Sequence, residues 1–168
     1  MSPYTLRPLT PNDAPFLWEM LYHAIYVPAG SPPPAREIID QPALATYVRG
    51  WGRAGDTGVL AIDRPGQQPV GAAWLRLLTG DDKGYGYVDD RTPELSIAVL
   101  PGHRGKGLGT RLLAQLFESA AQRYTAISLS VDPDNPALRL YRRLGFEVIE
   151  TTGHTYIMRK RLYIKIKS

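Results

Sequence analysis

Apolar residues after Leu108 recur about every 3.6 positions, as on one face of an amphipathic helix. Leu112, Leu113, Leu116, Phe117, Ala120 and Ala121 make that stripe. Just before it, residues 94–100 alternate, with Leu95, Ile97 and Val99 against Glu94, Ser96 and Ala98. Alternation predicts a strand with one face on a core. Residues 126–131 repeat the pattern, Ile127, Leu129 and Val131 against Ser128 and Ser130. Nearer the start, Thr10-Pro11-Asn12-Asp13 opens a helix carrying Phe16, Leu17, Met20, Leu21 and Ala24 at helical spacing. A second helical stretch is predicted over residues 35–51, interrupted near Pro42. Tyr4 to Arg7, residues 58–63 and residues 70–78 read as strands, the last two joined by a hairpin turn at 64–69. Residues 28–34 are too rich in proline for helix or central strand. Residues 79–92 are polar, glycine-rich and acidic, and read as a loop. Asn135 fits a helix N-cap with Pro136 after it, for a short helix over 137–144 ended by Gly145. Residues 146–151 and 154–162 are the last strands. The class is therefore α/β, with a mixed hydrophobic sheet at the centre of one domain over residues 1–168.

Composition narrows the chemistry. The chain has 168 residues, 43% hydrophobic and 21% charged, which suits a globular core. It has no cysteine, so disulfides, thiolate zinc sites and a cysteine nucleophile are excluded. His23, His103 and His154 lack tight ligand spacing, so no metal is expected. No apolar run approaches the ~18 residues of a membrane span. The N-terminal segment lacks the apolar stretch of a signal peptide, so a cytoplasmic protein without a membrane partner is expected. The formal net charge of +4 is unevenly placed. Basic residues gather at 103–106, at Arg139, Arg142 and Arg143, and in a tail reaching Lys165 and Lys167. No aromatic–basic interleaving marks a single-stranded nucleic-acid reader, so no nucleic-acid partner is expected, with a nucleic-acid-binding domain that uses the basic C-terminus kept as an open alternative.

The strand–turn–helix unit over 94–123 carries the most chemistry. Arg104-Gly105-Lys106-Gly107-Leu108-Gly109-Thr110 opens a helix. Glycines admit positive φ and a close ligand, and a helix N-terminus offers unpaired N–H groups and partial positive charge. With Arg104 and Lys106 this is a pyrophosphate cradle. A Walker A loop fails, because Gly107 is followed by Leu108. A dinucleotide fingerprint also fails, because Gly105, Gly107 and Gly109 are spaced Gly-x-Gly-x-Gly. Arg-x-x-Gly-x-Gly is satisfied by Arg104, Gly107 and Gly109.

Residues 94–113, ELSIAVLPGHRGKGLGTRLL, resemble the acetyl-coenzyme A motif of the GNAT N-acetyltransferases. Residues 131–146, VDPDNPALRLYRRLGF, are similar to that family's second block, about thirty residues downstream. The resemblance implies a GNAT-like acyl-CoA N-acyltransferase fold, a mostly antiparallel sheet with splayed strands flanked by helices. It implies acetyl transfer from acetyl-CoA to a primary amine of a small molecule or peptide, by direct attack in a ternary complex and without a metal. A longer acyl donor, a non-catalytic acyl-CoA sensor and a homodimer remain compatible with it. Pyrophosphate would lie on residues 104–110. The pantetheine arm would pair with the backbone of Ile97, Ala98 and Val99, where the family's strand bulges and splays. The Val99 N–H would hold the oxyanion, Asn135 would touch the cofactor, and Tyr141 would protonate the leaving thiolate.

An alkyl ammonium has a pKa near 10 and must lose a proton before it attacks. Glu94 is the first candidate for that base, since its strand face could point into the acceptor cleft. Family members with a glutamate five residues before the Asn have Ser130 as counterpart here, which is no base, so either Glu94 serves or the proton leaves through ordered water. Tyr22, Tyr26, Tyr47, Trp51 and Trp74 are candidate pocket walls. Asp81, Asp82, Asp89, Asp90 and Glu94 would attract a cationic amine if they faced the cleft. His103 reads as a loop residue near the phosphates.

Overall fold

The computed structural model describes residues 2–164, so Lys165 and Lys167 of the basic tail lie outside the described residues. Seven strands form one sheet in the order β1-β2-β3-β4-β5-β7-β6. They are β1 (Tyr4–Pro8), β2 (Thr57–Asp63), β3 (Gln68–Arg76), β4 (Glu94–Val99), β5 (Ala126–Val131), β6 (Glu147–Thr152) and β7 (Thr155–Arg161). Neighbours are antiparallel except β4 and β5, which run parallel. Four α-helices flank the sheet: α1 (Ala14–His23), α2 (Pro42–Ala45), α3 (Leu108–Ala120) and α4 (Ala137–Arg143). No described helix is long and apolar enough to cross a membrane.

The period-2 strands feed two cores. On one face, Leu75, Leu95, Ile127 and Leu129 pack with Leu108, Leu112, Leu113 and Leu116 of α3 and Tyr141 of α4. On the other, Leu60, Ala72, Trp74 and Ala98 pack with Leu17, Met20 and Leu21 of α1 and with Tyr47, Val48 and Trp51. The α3 stripe is fully buried at Leu112, Leu113 and Leu116, each worth about 1.5–3 kcal/mol of burial. Gly145 at φ +98° takes the left-handed step that ends α4.

The predicted helix over 35–51 is instead broken into a 3-10 turn at Arg36–Asp40 and the four-residue α2. Pro42 explains the break. It has no N–H to bond back along a helix, and it holds Gln41 extended at φ −63°, ψ 135°. Gly50 and Gly52 then take positive φ of 72° and 111°, which turns the chain into β2. The apolar positions keep their purpose: Tyr47, Val48 and Trp51 still bury.

β4 and β5 pair at one register point, Glu94↔Ser128, and then separate. The β3–β4 ladder runs from Arg76↔Glu94 to Gly71↔Val99 without a register shift. The splay implied by the resemblance is present. The bulge in β4 is not, because β5 leaves β4 without an extra residue entering the strand.

Candidate active site

The gap between β4 and β5 opens onto the glycine turn. After β4 the chain makes a 3-10 turn, Pro101–His103, anchored to β1 by a 2.9 Å hydrogen bond between Tyr4 Oη and His103 Nδ1. Arg104 Nε donates back to the Val99 carbonyl at 2.9 Å. Gly105 and Gly107 then adopt φ +75° and +76°, and a Cβ at either would meet nothing within 4 Å. Both face open space in a backbone conformation that side chains resist. Arg111 N–H makes the first helical bond, to the Gly107 carbonyl at 3.2 Å. The N–H groups of Leu108, Gly109 and Thr110 are therefore the free ones of the α3 N-terminus. Aligned with the helix dipole, they suit an anion.

The β4 edge has a readable polarity. Leu100 N–H donates to the Val70 carbonyl at 2.8 Å, toward β3. Backbone groups alternate along a strand, so Ala98 also faces β3, while Ile97 and Val99 face the gap. With the Val99 carbonyl taken by Arg104, its N–H is the donor left facing the cleft. The expected pairing through Ile97, Ala98 and Val99 thus narrows to the backbones of Ile97 and Val99. The Ala98 backbone is turned into the β3 ladder.

The whole cleft measures about 920 Å³. Its walls include Ile97, Ala98, Val99, Arg104, Gly105, Gly107, Leu108, Gly109, Thr110, Asn135 and Tyr141, all expected from the sequence. Lys106 was also expected and does not line it. Asn135 Oδ1 caps α4 by accepting the Ala137 N–H at 2.9 Å. Tyr141 is 9% exposed, stands edge-on to Phe146 at 5.7 Å, and its hydroxyl has no protein partner among the described residues. Burial pushes that phenol up to about 12.

The opposite wall comes from the end of α1 and the proline-rich loop: Tyr22, His23, Ile25, Tyr26, Val27, Pro33 and Pro34. Tyr22 Oη donates to the Pro34 carbonyl at 2.6 Å, and the Tyr22 ring carries Arg36 4.5 Å from its centroid. Tyr26 Oη donates to the Asp134 carbonyl at 3.1 Å, which ties this wall to the loop before α4. Of the candidate aromatics, Tyr22 and Tyr26 line the cleft, whereas Tyr47, Trp51 and Trp74 are buried in the α1-side core. Sequence reasoning passed over His23, although Glu19 and His23 at i and i+4 were a readable pair on one helix face.

Glu94 does not point into the cleft, contrary to expectation. It is 1% exposed. Its Oε1 accepts from Tyr47 Oη and the Gly86 N–H, both at 2.8 Å, and its Oε2 accepts the Gly84 N–H at 2.9 Å. Burial raises its carboxyl above the usual range, against these three hydrogen bonds, which lower it. The Glu94 face of β4 packs toward the α2 segment, and residues 84–86 close over it. Glu94→Gln places an amide N–H₂ where a carboxylate oxygen now accepts. That leaves a buried donor facing a donor, and stability should fall by about 1–3 kcal/mol. Urea denaturation checks this, and an unchanged midpoint would mean that the clamp contributes nothing.

The acidic run also faces elsewhere. Asp81 and Asp82 line a separate 320 Å³ recess with Arg49, Arg53 and Lys83. Asp89 accepts from Arg91 N–H and Thr92 Oγ1, and Asp90 from Tyr87 Oη. No carboxylate lines the cleft among the described residues, whereas Arg104 and Arg143 do. Asp132, Asp134 and His154 lie outside it and bring three possible metal-ligand atoms within 4.8 Å of one another.

Comparison with known proteins agrees with this geometry. The model of the acetyltransferase (GNAT) family matches residues 18–146. An N-alpha-acetyltransferase of Sulfurisphaera tokodaii is 38% identical over 65 residues, 37% of this chain and 39% of that protein. An uncharacterised protein of Mycobacterium leprae is 49% identical over 55 residues, 32% of this chain and 15% of that protein. The chain thus spans well under half the length of these curated relatives. The PaiA N-acetyltransferase of Thermoplasma acidophilum, solved with coenzyme A, superposes with a TM-score of 0.66 at 20% identity, covering 96% of this chain and 99% of that one. With the family model covering most of its length, and a splayed sheet leading onto a glycine cradle, the chain belongs to the GNAT acetyltransferase family.

Proposed function

We propose that this protein transfers the acetyl group of acetyl-CoA to a primary amine of a small molecule or peptide, by direct attack in a ternary complex. The observation that carries the reading is the β4–β5 splay, which leads from an outward Val99 N–H to the left-handed turn at Gly105 and Gly107. These residues fit acetyl-CoA. The N–H groups of Leu108, Gly109 and Thr110 suit its pyrophosphate, with Arg104 beside them. Ile97 and Val99 offer backbone groups to the amides of its arm. The bound coenzyme supplies an acyl thioester, a good electrophile with a thiolate leaving group. The Val99 N–H stands as a fixed donor for the oxygen that gains charge when the amine adds. Tyr141 O–H, open to the cleft, donates to the departing sulfur.

Charge in the cleft shapes the acceptor. With no carboxylate lining the cleft among the described residues, a second cationic centre on the substrate has nothing there to pair with. Monoamines and amines that carry a carboxylate should therefore outpace polyamines. The deciding experiment follows acetyl-CoA-dependent thiol release across amino acids, peptides, monoamines and polyamines. Release with one class supports the transferase and names its acceptor. Coenzyme binding without release from any amine would leave an acyl-CoA sensor.

Gly107→Val tests the cradle separately. The variant must hold a β-branched residue at φ +76°, and its side chain enters the open space before α3. Coenzyme affinity measured by calorimetry should fall at least about tenfold, a cost of ~1.4 kcal/mol. Normal affinity in a folded variant would remove the pyrophosphate assignment.

A further inference from the structure

We infer that His23 is the proton acceptor for the substrate ammonium, held in place by Glu19 and Arg36; the inference rests on the transferase reading above. The cleft itself leaves few alternatives. Among the described residues its titratable walls are Tyr22, His23, Tyr26, His103, Arg104, Tyr141 and Arg143. Arginine does not deprotonate, and a phenol is a donor near neutral pH. His103 stands at the glycine turn with Nδ1 engaged by Tyr4. His23 remains as the imidazole on the acceptor side.

Its surroundings are those of an oriented base. His23 ends α1 and is half-buried, with 18% of its side chain exposed. Its Nε2 lies 3.0 Å from Glu19 Oε1. The same carboxylate receives Arg36 Nη2 at 2.8 and 2.7 Å on its two oxygens. That arginine, chiefly, and His23 hold the Glu19 carboxyl below its usual range. The Tyr22 ring stands edge-on to the imidazole at 5.6 Å. The charged and titratable groups around His23 are thus Glu19 and Tyr22 on α1 and Arg36 on the following turn. A carboxylate on Nε2 selects the Nε2–H tautomer and leaves the Nδ1 lone pair, which has no protein partner among the described residues, free to accept a proton on a residue that lines the cleft. α1 packs against β4, and its Leu17, Met20 and Leu21 share a core with Ala98.

The protons balance through two routes. The ammonium gives one proton to His23 Nδ1, and the imidazolium is stabilised by Glu19 until solvent removes that proton. The freed lone pair forms the C–N bond as the C–S bond breaks. The sulfur takes the Tyr141 proton, and the nitrogen's second proton restores the phenol. One ammonium and one thioester thus yield one amide, one thiol and one released proton. Glu19 and Arg36 are positioning residues; His23 alone meets the substrate.

The test uses the fastest amine from the panel, with calorimetry for coenzyme binding. His23→Gln should lower kcat/KM at neutral pH at least tenfold and leave coenzyme affinity within twofold. Glu19→Gln should fall between the two. Exogenous imidazole should restore part of the rate to His23→Ala, which a merely structural role would not allow. A readout without turnover is ¹⁵N NMR of the imidazole in the coenzyme-free protein. It should show the neutral ring as the Nε2–H tautomer, with the preference lost in Glu19→Gln. A His23→Gln rate within twofold of wild type, or an Nδ1–H tautomer, would overturn the role of His23 and leave the transferase standing. A wild type that binds coenzyme yet turns over no amine would overturn the transferase, and the proton acceptor with it.

Discussion

Asp56→Ala lowers the unfolding free energy by about 3–5 kcal/mol, because it strands a charge in the core. Arg76 ends β3 with no exposed surface. Its Nε and Nη2 reach the two Asp56 oxygens at 3.1 and 2.8 Å. Its Nη1 serves the Thr46 and Arg49 carbonyls, and the guanidinium lies 5.5 Å from the Trp51 ring centroid. Arginine cannot shed its proton to escape burial, so losing Asp56 leaves a full charge beside dipoles alone. Two controls separate this from ordinary surface damage. Arg53 also approaches Asp56, at 3.9 Å and 44% exposed; Arg53→Ala should cost under about 1 kcal/mol. Removing both charges in Asp56→Ala/Arg76→Met should recover only the part of the loss due to the stranded charge, because the Thr46 and Arg49 carbonyls and the Gly52 and Arg53 N–H groups still lose their partners. Urea midpoints at constant slope measure all three. A shift below about 1 kcal/mol in Asp56→Ala would mean that the pair is dispensable. The cluster matters to the site because it fastens residues 46–51, which carry Tyr47 and through it the Glu94 clamp.

What the sequence made legible followed from short-range rules. The α3 stripe, the alternation in β4 and β5 and the Asn135 cap each depend on neighbours within one turn or one strand. The glycine cradle was legible for the same reason, since Gly105 and Gly107 serve backbone geometry set within a few residues. The illegible parts depend on distant surfaces. Glu94 was placed on the correct face of its strand. Whether that face opens on a cleft or closes under a loop is decided by residues 84–86 and by Tyr47 far upstream. The acidic run was read as an electrostatic lure, but its loop folds over another part of the surface and bonds mainly within itself. The 35–51 segment looked helical from its apolar spacing. Pro42 and two positive-φ glycines broke it while tertiary burial kept Tyr47, Val48 and Trp51 in place. His23 was legible in part: its Glu19 partner lies one helical turn away, whereas Arg36 arrives only through the fold.

Tyr141→Phe should reduce kcat by about 10- to 100-fold while the coenzyme dissociation constant moves less than threefold. The phenol sits in an apolar corner against Phe146, and burial alone raises it to about 12. It therefore stays protonated at every pH the protein would meet, and it meets the sulfur as a donor. A group this weakly acidic does not simply hand its proton to a thiolate, whose conjugate acid lies near 8.5. The transfer becomes favourable only when the nitrogen's proton replaces it in the same event. Tyr141 thus couples the two ends of the reaction. Phenylalanine keeps the edge contact with Phe146 and removes that donor from the cleft. A hydrogen bond to a charged group is worth about 1.5–3 kcal/mol, which sets the expected factor at roughly 10–100. The pH dependence gives a second reading. The wild-type rate should show no alkaline fall near 10, where an ordinary phenol would ionise. An alkaline limb at that pH in the wild type and absent from Tyr141→Phe would mean the hydroxyl is wetter than its surroundings indicate. Unchanged kcat in the variant would pass sulfur protonation to water and leave Tyr141 as a wall of the cleft.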